Sequence, residues 1–375
     1  MSMEHICYVS GDGLPDVRVE REFYSLGRSG FQLSFLGRVS RTNNIFEAAG
    51  VKVNLVNYDI GLNRYVNLRI EPYYTWAKRR IGRALRRIRP DIVVAVNIVA
   101  GAIVHELGYP MVLDDHEVYS KKALYTPATG IDKLIRARKL KLFLKYERMV
   151  AEHHPVIVVS EYGQAYYRGL GARAYLVKNW PVAAEVRDLK FRRLPCRPLR
   201  VAVITRDISP RRVSYNRDIR LAWKLLQVYV RHGLVHAVVI GDRGVKSSRS
   251  IESLGYIPHN DIYGVLQNCH AGLLALAPTP HHAFCGSNRA YMYMHVGCIP
   301  IVTASLESVL IDLGDYEFAV DTWQFAKSLA DILKKLLDLD CNELNSVRES
   351  ILNLARRRLV WDLQSNVLVD AVKAV

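Results

Sequence analysis

The stretch His5-Ile6-Cys7-Tyr8-Val9-Ser10-Gly11-Asp12-Gly13-Leu14-Pro15-Asp16-Val17-Arg18-Val19-Glu20-Arg21-Glu22-Phe23 joins two periodicities through a turn. Ile6 to Val9 is an unbroken apolar run, the pattern of a strand covered on both faces. Val19, Phe23 and Leu26 then recur at helical spacing, which predicts a helix beginning near Asp16. A strand that passes through a glycine-bearing turn into a helix is the opening unit of a parallel α/β sheet. Such a turn presents backbone N–H groups that can hold a phosphate oxygen, so Gly13 is a candidate phosphate-binding residue; a plain tight turn is the alternative.

The alternation continues to the end of the chain. Further strands are expected at Gln32 to Leu36, Val51 to Val56, Asp91 to Val96, Met111 to Leu113, Val156 to Val159 and Tyr175 to Val177, which completes one doubly wound domain. Between Pro181 and Pro198 the pattern gives way to a charged, proline-bearing segment with Arg187, Lys190, Arg192, Arg193 and Arg197, the expected linker. A second series follows at Arg200 to Ile204, Ala237 to Ile240, Ala271 to Ala275, Ile299 to Val302 and Phe318 to Val320, and an amphipathic helical segment closes the chain. The expected division is therefore an N-terminal domain over 1–185, a linker over 186–198, a C-terminal domain over 199–345 and a returning helix over 346–375.

At 375 residues the chain exceeds the size at which a single core usually stops growing, and half of its residues are apolar. No apolar run is long enough for a membrane-spanning helix and no leader precedes the first strand, so the expectation is a cytoplasmic protein. Six cysteines without paired spacing (Cys7, Cys196, Cys269, Cys285, Cys298 and Cys341) read as buried free thiols of a reducing compartment. The Arg, Tyr, Val and Ile content hints at a thermophilic source. A net charge of +16 favours polyanionic partners: phosphorylated substrates, anionic lipid or nucleic acid. No nucleic-acid motif is present, so specific nucleic-acid binding is not expected.

Motifs in order along the chain narrow the class. Asp16-Val17-Arg18-Val19-Glu20-Arg21-Glu22 is followed by Leu26 and Gly30-Phe31-Gln32-Leu33, then by Leu113-Asp114-Asp115-His116-Glu117, by Glu147 with Val158-Val159-Ser160-Glu161, and by Lys178-Asn179-Trp180-Pro181. The second half carries Thr205-Arg206-Asp207-Ile208-Ser209-Pro210-Arg211, Val239-Ile240-Gly241-Asp242, Leu254-Gly255-Tyr256-Ile257-Pro258 and Gly286-Ser287-Asn288-Arg289-Ala290-Tyr291-Met292, with Gly297 and Pro300 beyond. This series resembles the family 4 glycosyltransferases over nearly the whole chain. The resemblance implies a GT-B architecture of two Rossmann-like domains and transfer of a sugar from a nucleotide-diphosphate sugar with retained configuration and without a metal. The donor is a substrate, so no cofactor is expected, and the acceptor is an unidentified glycan or lipid-linked group. The rival readings are a catalytically silent nucleotide-binding or scaffold protein of the same fold and a nucleotide-sugar epimerase.

The residues support such a site on their own terms. Arg206 and Arg211 follow a strand directly, where open α/β sheets bind ligands, and two guanidiniums suit a diphosphate. Gly286, Ser287 and Asn288 form a turn and cap at the start of a helix, suited to the same phosphates. His116, among acids at a strand end, would position the sugar or the leaving phosphate, and the family resemblance implies that Tyr256 with Ile257 borders the base. His281 and His282 lack further ligands at metal spacing. One departure from the family is plain: two positions that usually carry glutamates hold Phe284 and Met292, and neither accepts a strong hydrogen bond. Tyr291, Tyr293 or backbone groups are the candidates to replace them. Finally, Ala77, Ile81, Ala84 and Ile88 define the apolar face of a helix whose opposite arc carries Lys78, Arg79, Arg80, Arg83, Arg86 and Arg87, a candidate contact with anionic membrane.

Overall fold

The computed structural model describes every residue except 1–3, 63, 206–207, 209–216 and 243. The chain forms two compact units, one of Met1–Asn179, Phe284–Gly286 and Trp361–Val375, the other of Trp180–Ala283 and Ser287–Val360. In the first unit β1 (His5–Ser10), β2 (Gln32–Gly37), β3 (Val53–Asn57), β4 (Ile92–Val96), β5 (Met111–Asp115), β6 (Val156–Val158) and β7 (Ala174–Leu176) lie in the order β3-β2-β1-β4-β5-β6-β7. All neighbours are parallel. The apolar runs therefore have the expected cause: β4 and β5 are buried at every position because helices cover both faces.

The second unit has β8 (Leu199–Ile204), β9 (Val235–Ile240), β10 (Ile251–Gly255), β11 (Ala271–Leu274), β12 (Ile299–Thr303) and β13 (Ala319–Val320) in the parallel order β10-β9-β8-β11-β12-β13. In each sheet the order reverses once, beside β1 and beside β8, and the crevice at that switch is where open α/β sheets receive ligands. β10 is absent from the expected strands. It is an edge strand, half-buried throughout, and its Ile-Glu-Ser-Leu-Gly sequence offers no apolar run.

The boundaries differ from the expected ones for reasons visible in the contacts. Residues 187–198 are not a free linker: Gln267 donates to Lys190 O at 2.8 Å, Arg348 donates to Arg192 O at 2.9 Å, and Asn345 bonds both the N–H and the carbonyl of Leu194. The arginines that made the segment look solvated leave its backbone fixed within the second unit. The Cys341–Arg358 helix also belongs to that unit, and the chain rejoins the first only from Trp361. There Trp361, fully buried, donates to Ser25 Oγ at 2.7 Å, and Gln364 bonds both the N–H and the carbonyl of Lys178.

Two of the six cysteines are not free thiols. Cys196 and Cys341 form a disulfide across 145 residues, whereas Cys7, Cys269 and Cys298 are buried and unbridged and Cys285 is half-buried. Spacing carries no sign of a pair this remote, and the cysteines no longer argue for a reducing compartment. Among the described residues no helix is long and apolar enough to cross a membrane. Reducing the bridge, or replacing Cys341 with Ser, is expected to lower the unfolding free energy by about 2–4 kcal/mol, because the unfolded chain regains loop entropy. Urea denaturation with and without a thiol reductant measures this directly.

Candidate active site

The glycine-bearing turn after β1 is shaped by close approach. Gly13 has φ +77°, and a Cβ there would stand 2.6 Å from Arg38 O. The N–H of Leu14 donates to Arg38 O at 2.8 Å, and those of Asp12 and Gly13 point to Ser10 Oγ at 3.3 and 3.4 Å. Asp16 caps the Val17–Arg28 helix by accepting from the N–H groups of Arg18 and Val19. Backbone donors that the sequence offers to a phosphate thus have protein acceptors here. Across the switch crevice Asn97, held at φ +70°, donates to Asp12 Oδ2 at 2.7 Å.

At the end of β5 the geometry is more telling. His116 Nε2 lies 2.6 Å from Asp114 Oδ2, and the Arg18 guanidinium donates to the same carboxylate from Nη2 at 2.8 Å and Nε at 3.0 Å. Arg18 also donates from Nη1 to Val177 O at 2.8 Å and Asn179 Oδ1 at 3.1 Å, and pairs with Glu22 at 3.3 Å. Arg18, Glu22 and Asp114 are buried, while the His116 side chain keeps 19% of its surface exposed. Three of the motifs, Asp16-to-Glu22, Asp114-to-Glu117 and Lys178-to-Pro181, therefore meet at one guanidinium. His116 was legible as a candidate in the sequence; Arg18, Asp114 and Asn179 as its support were not, because the three lie far apart in the chain.

The charges follow from these contacts. Burial alone would raise the Asp114 carboxyl, but Arg18 and His116 outweigh it and hold Asp114 below the usual carboxylate range. Burial would likewise lower His116, yet the Asp114 carboxylate prevails and lifts the ring to about 9. Glu22, desolvated and beside Asp114, is pushed up. His116 is thus an imidazolium at neutral pH. The ring's hydrogen bond is made by Nε2, to Asp114, and its Nδ1–H has no protein partner among the described residues.

The neighbouring motif residues serve the frame. Glu147 accepts from Ser120 N and from Tyr166 Oη, both at 2.7 Å; Ser160 caps the Glu161–Gly169 helix; Glu161 pairs with Lys178 at 2.5 Å. Phe284 packs edge-on against Tyr162 and Tyr166, beneath the Lys121 ammonium. Gly286 fits against Asn179 and Val159, where a Cβ would come within 2.8 Å of Asn179 Nδ2.

In the second unit, Arg206 and Arg211 lie outside the described residues. Tyr256, exposed, and Ile257, half-buried, follow the end of β10. Ser287 is the N-cap of the Asn288–Met294 helix, its hydroxyl accepting from Ala290 N, and Asn288 is the first helical residue. Tyr291 and Tyr293 are the side chains that the sequence offered in place of the absent glutamates. Both are buried; Tyr291 Oη donates to Asp312 at 2.7 Å, and Tyr293 Oη accepts from Ile204 N at 3.2 Å. His281 and His282 are buried, the latter bonded to Ser305 Oγ, and no group of metal-ligating side chains forms among the described residues.

Two doubly wound parallel sheets, one in each unit, are the elements of the GT-B class of fold. Comparison with solved structures agrees. A sucrose-phosphate synthase from Thermosynechococcus elongatus matches 99% of this chain with 98% of its own, at a TM-score of 0.72 and 13% identity. An α,α-trehalose 6-phosphate synthase from Burkholderia multivorans matches 100% with 99% of its own, at 0.65 and 12%. The calicheamicin glycosyltransferase CalG4 matches 100% with 99% of its own, at 0.52 and 14%. No family model and no curated protein matches the chain by sequence. At such identities the likeness is one of fold, and the chain has the GT-B fold of these glycosyltransferases.

The electrostatics of the histidine give a signed expectation. Because its folded pKa is raised, the stability it contributes is complete below about pH 6.5 and is lost as pH rises through about 9. His116→Gln is expected to remove that decline, read as denaturation midpoints across the interval. Asp114→Asn is expected to lower the ring's titration, followed by NMR, since burial and Arg18 are then opposed by Asp16 without the larger pull of Asp114.

Proposed function

We propose that this protein is a glycosyltransferase that moves a sugar from a nucleoside-diphosphate sugar to a hydroxyl-bearing acceptor. The observation that carries the reading is the Arg18–Asp114–His116 chain at the strand ends of a GT-B unit. It holds an imidazolium with one N–H left over, a donor suited to a sugar hydroxyl or to the departing phosphate. In such a reaction the protein gains most by orienting the partners and stabilising charge on the leaving diphosphate. Arg206 and Arg211, which lie outside the described residues, are assigned that second task from their place in the sequence. Gly13, Gly286, Ser287 and Asn288 would shape the phosphate surroundings, and Tyr256 with Ile257 would border the base.

Retention of configuration is part of the proposal. It is supported by the family 4 resemblance and by a full-length likeness, at TM-score 0.65 and 10% identity, to a trehalose-6-phosphate synthase described as acting with retention. We assign the chain no metal and leave its acceptor as a glycan or lipid-linked group. Peripheral contact with anionic membrane through Lys78 to Arg87 belongs to the same proposal. One observation favours a second reading, a nucleotide-binding protein without turnover: Phe284 and Met292 supply no acceptor where the family usually has glutamates, and the nearby tyrosine hydroxyls are engaged.

A panel of nucleotide sugars, followed by thermal shift and by nucleotide release, separates the two. Release with sugar transfer is expected; a shift without turnover would select the silent protein. In the active case Arg206→Ala is expected to lower kcat/KM by about 10- to 100-fold, since a hydrogen bond to a charged group is worth roughly 1.5–3 kcal/mol. Arg211→Lys is expected to cost less. Wild-type turnover of Arg206→Ala would remove the guanidinium clamp from the mechanism.

A further inference from the structure

The sheet face that carries Cys7, Val9, Leu36 and Val56 is apolar where the Tyr73–Ile88 helix covers it. At the strands' N-terminal ends the same face turns polar. By strand alternation His5 precedes Cys7, Gln32 and Ser34 precede Leu36, and Asn54 precedes Val56, so four polar side chains replace apolar ones at neighbouring positions. His5 Nε2 bonds Ser34 Oγ at 2.8 Å. Above them the helix leaves a cavity of about 520 Å³ whose polar lining is His5, Gln32, Asn54, Tyr58, Arg83 and Arg87. No Asp or Glu is among the described residues that line it.

The helix's basic arc is not uniform. Lys78 pairs with Glu106 at 3.0 Å, and Arg80 donates to Asp59 O at 2.9 Å while stacking over Tyr58 and Trp76. Arg83 and Arg87 differ: they line the cavity one turn apart, with no carboxylate partner among the described residues. Like charges at that spacing repel, and an anion between them reverses the sign. Guanidinium forks, imidazole, amides and a phenol make a set rich in donors, matched to phosphate oxygens. The volume suits a small ligand.

We propose that this cavity is a second anion site, one that takes a phosphate group carried on a small molecule or on a lipid headgroup. It lies at the N-terminal ends of β1 and β2, whereas His116 follows the C-terminal end of β5 in the same parallel sheet. The cavity is therefore separate from the proposed transfer site, and its occupant is an effector or an anchoring group rather than the donor. The inference stands whether or not the chain transfers sugar.

The test uses the full chain and the double variant Arg83→Gln/Arg87→Gln, with His116→Ala as the control for the other site. Titration calorimetry with inorganic phosphate and with glucose 6-phosphate reads the soluble arm. Co-sedimentation with phosphatidylcholine vesicles, with and without phosphatidylglycerol, reads the lipid arm. The expected result is at least about tenfold weaker binding in the double variant, with an unchanged melting temperature, whereas His116→Ala, which alters the other site, retains the component of binding that the double variant loses. Loss in the calorimetric arm assigns a soluble phosphate; loss confined to the vesicle arm assigns a headgroup. If the wild-type chain binds neither probe, or the double variant binds as well as wild type, the site is overturned.

Discussion

The arrangement of the first unit depends on one buried guanidinium. Arg18 leaves the helix after β1, reaches the Asp114 carboxylate at the end of β5 and then the exit of the unit at Val177 and Asn179, so three remote segments share one cation. A charge removed from water is tolerable only when its donors are met, and Asp114 with two further acceptors meets them. Taking away one partner of such a pair typically costs about 3–5 kcal/mol, because the other is left charged and dry. The strand ends are thereby held in a fixed relation, which a site that acts by orientation requires.

The same economy sets the state of His116. Asp114 is fully ionised because Arg18 faces it, and an ionised Asp114 keeps the imidazole protonated. The histidine can be exposed on one edge and still carry a positive charge, since the support comes from behind. Structure and chemistry are joined here: the ion pair that orders the loops also supplies the charge that would face a leaving diphosphate or a sugar hydroxyl.

Arginine has other uses in this chain, and they explain why its composition misleads. Arg348 is buried and bonds the carbonyls of Gly297 and Arg192 and the amide of Asn345, which turns an apparent linker into a fixed wall of the second unit. Arg80 is spent on a carbonyl and two rings. Only some of the positive charge is available to partners. The pair Arg83 and Arg87, over polar positions at the start of β1 and β2, is where it gathers around a cavity.

The sequence by itself determined the alternation of strand and helix, since residues buried on both faces of a parallel sheet must be apolar in runs, and it singled out His116 as a candidate because the residue stands among acids at a strand end. It also carried, in the order of its motifs, the resemblance that the GT-B fold matches. It did not carry β10, whose edge position relaxes the apolar rule, nor the Cys196–Cys341 bridge, because a contact across 145 residues leaves no local signature. The tertiary structure alone decided which acid holds His116, that Arg18 and Asn179 stand behind it, and that the hydroxyls of Tyr291 and Tyr293 are already engaged. The reason is physical: periodicity records what each residue must hide from water, whereas a charge's partner is fixed only when distant strands are brought side by side.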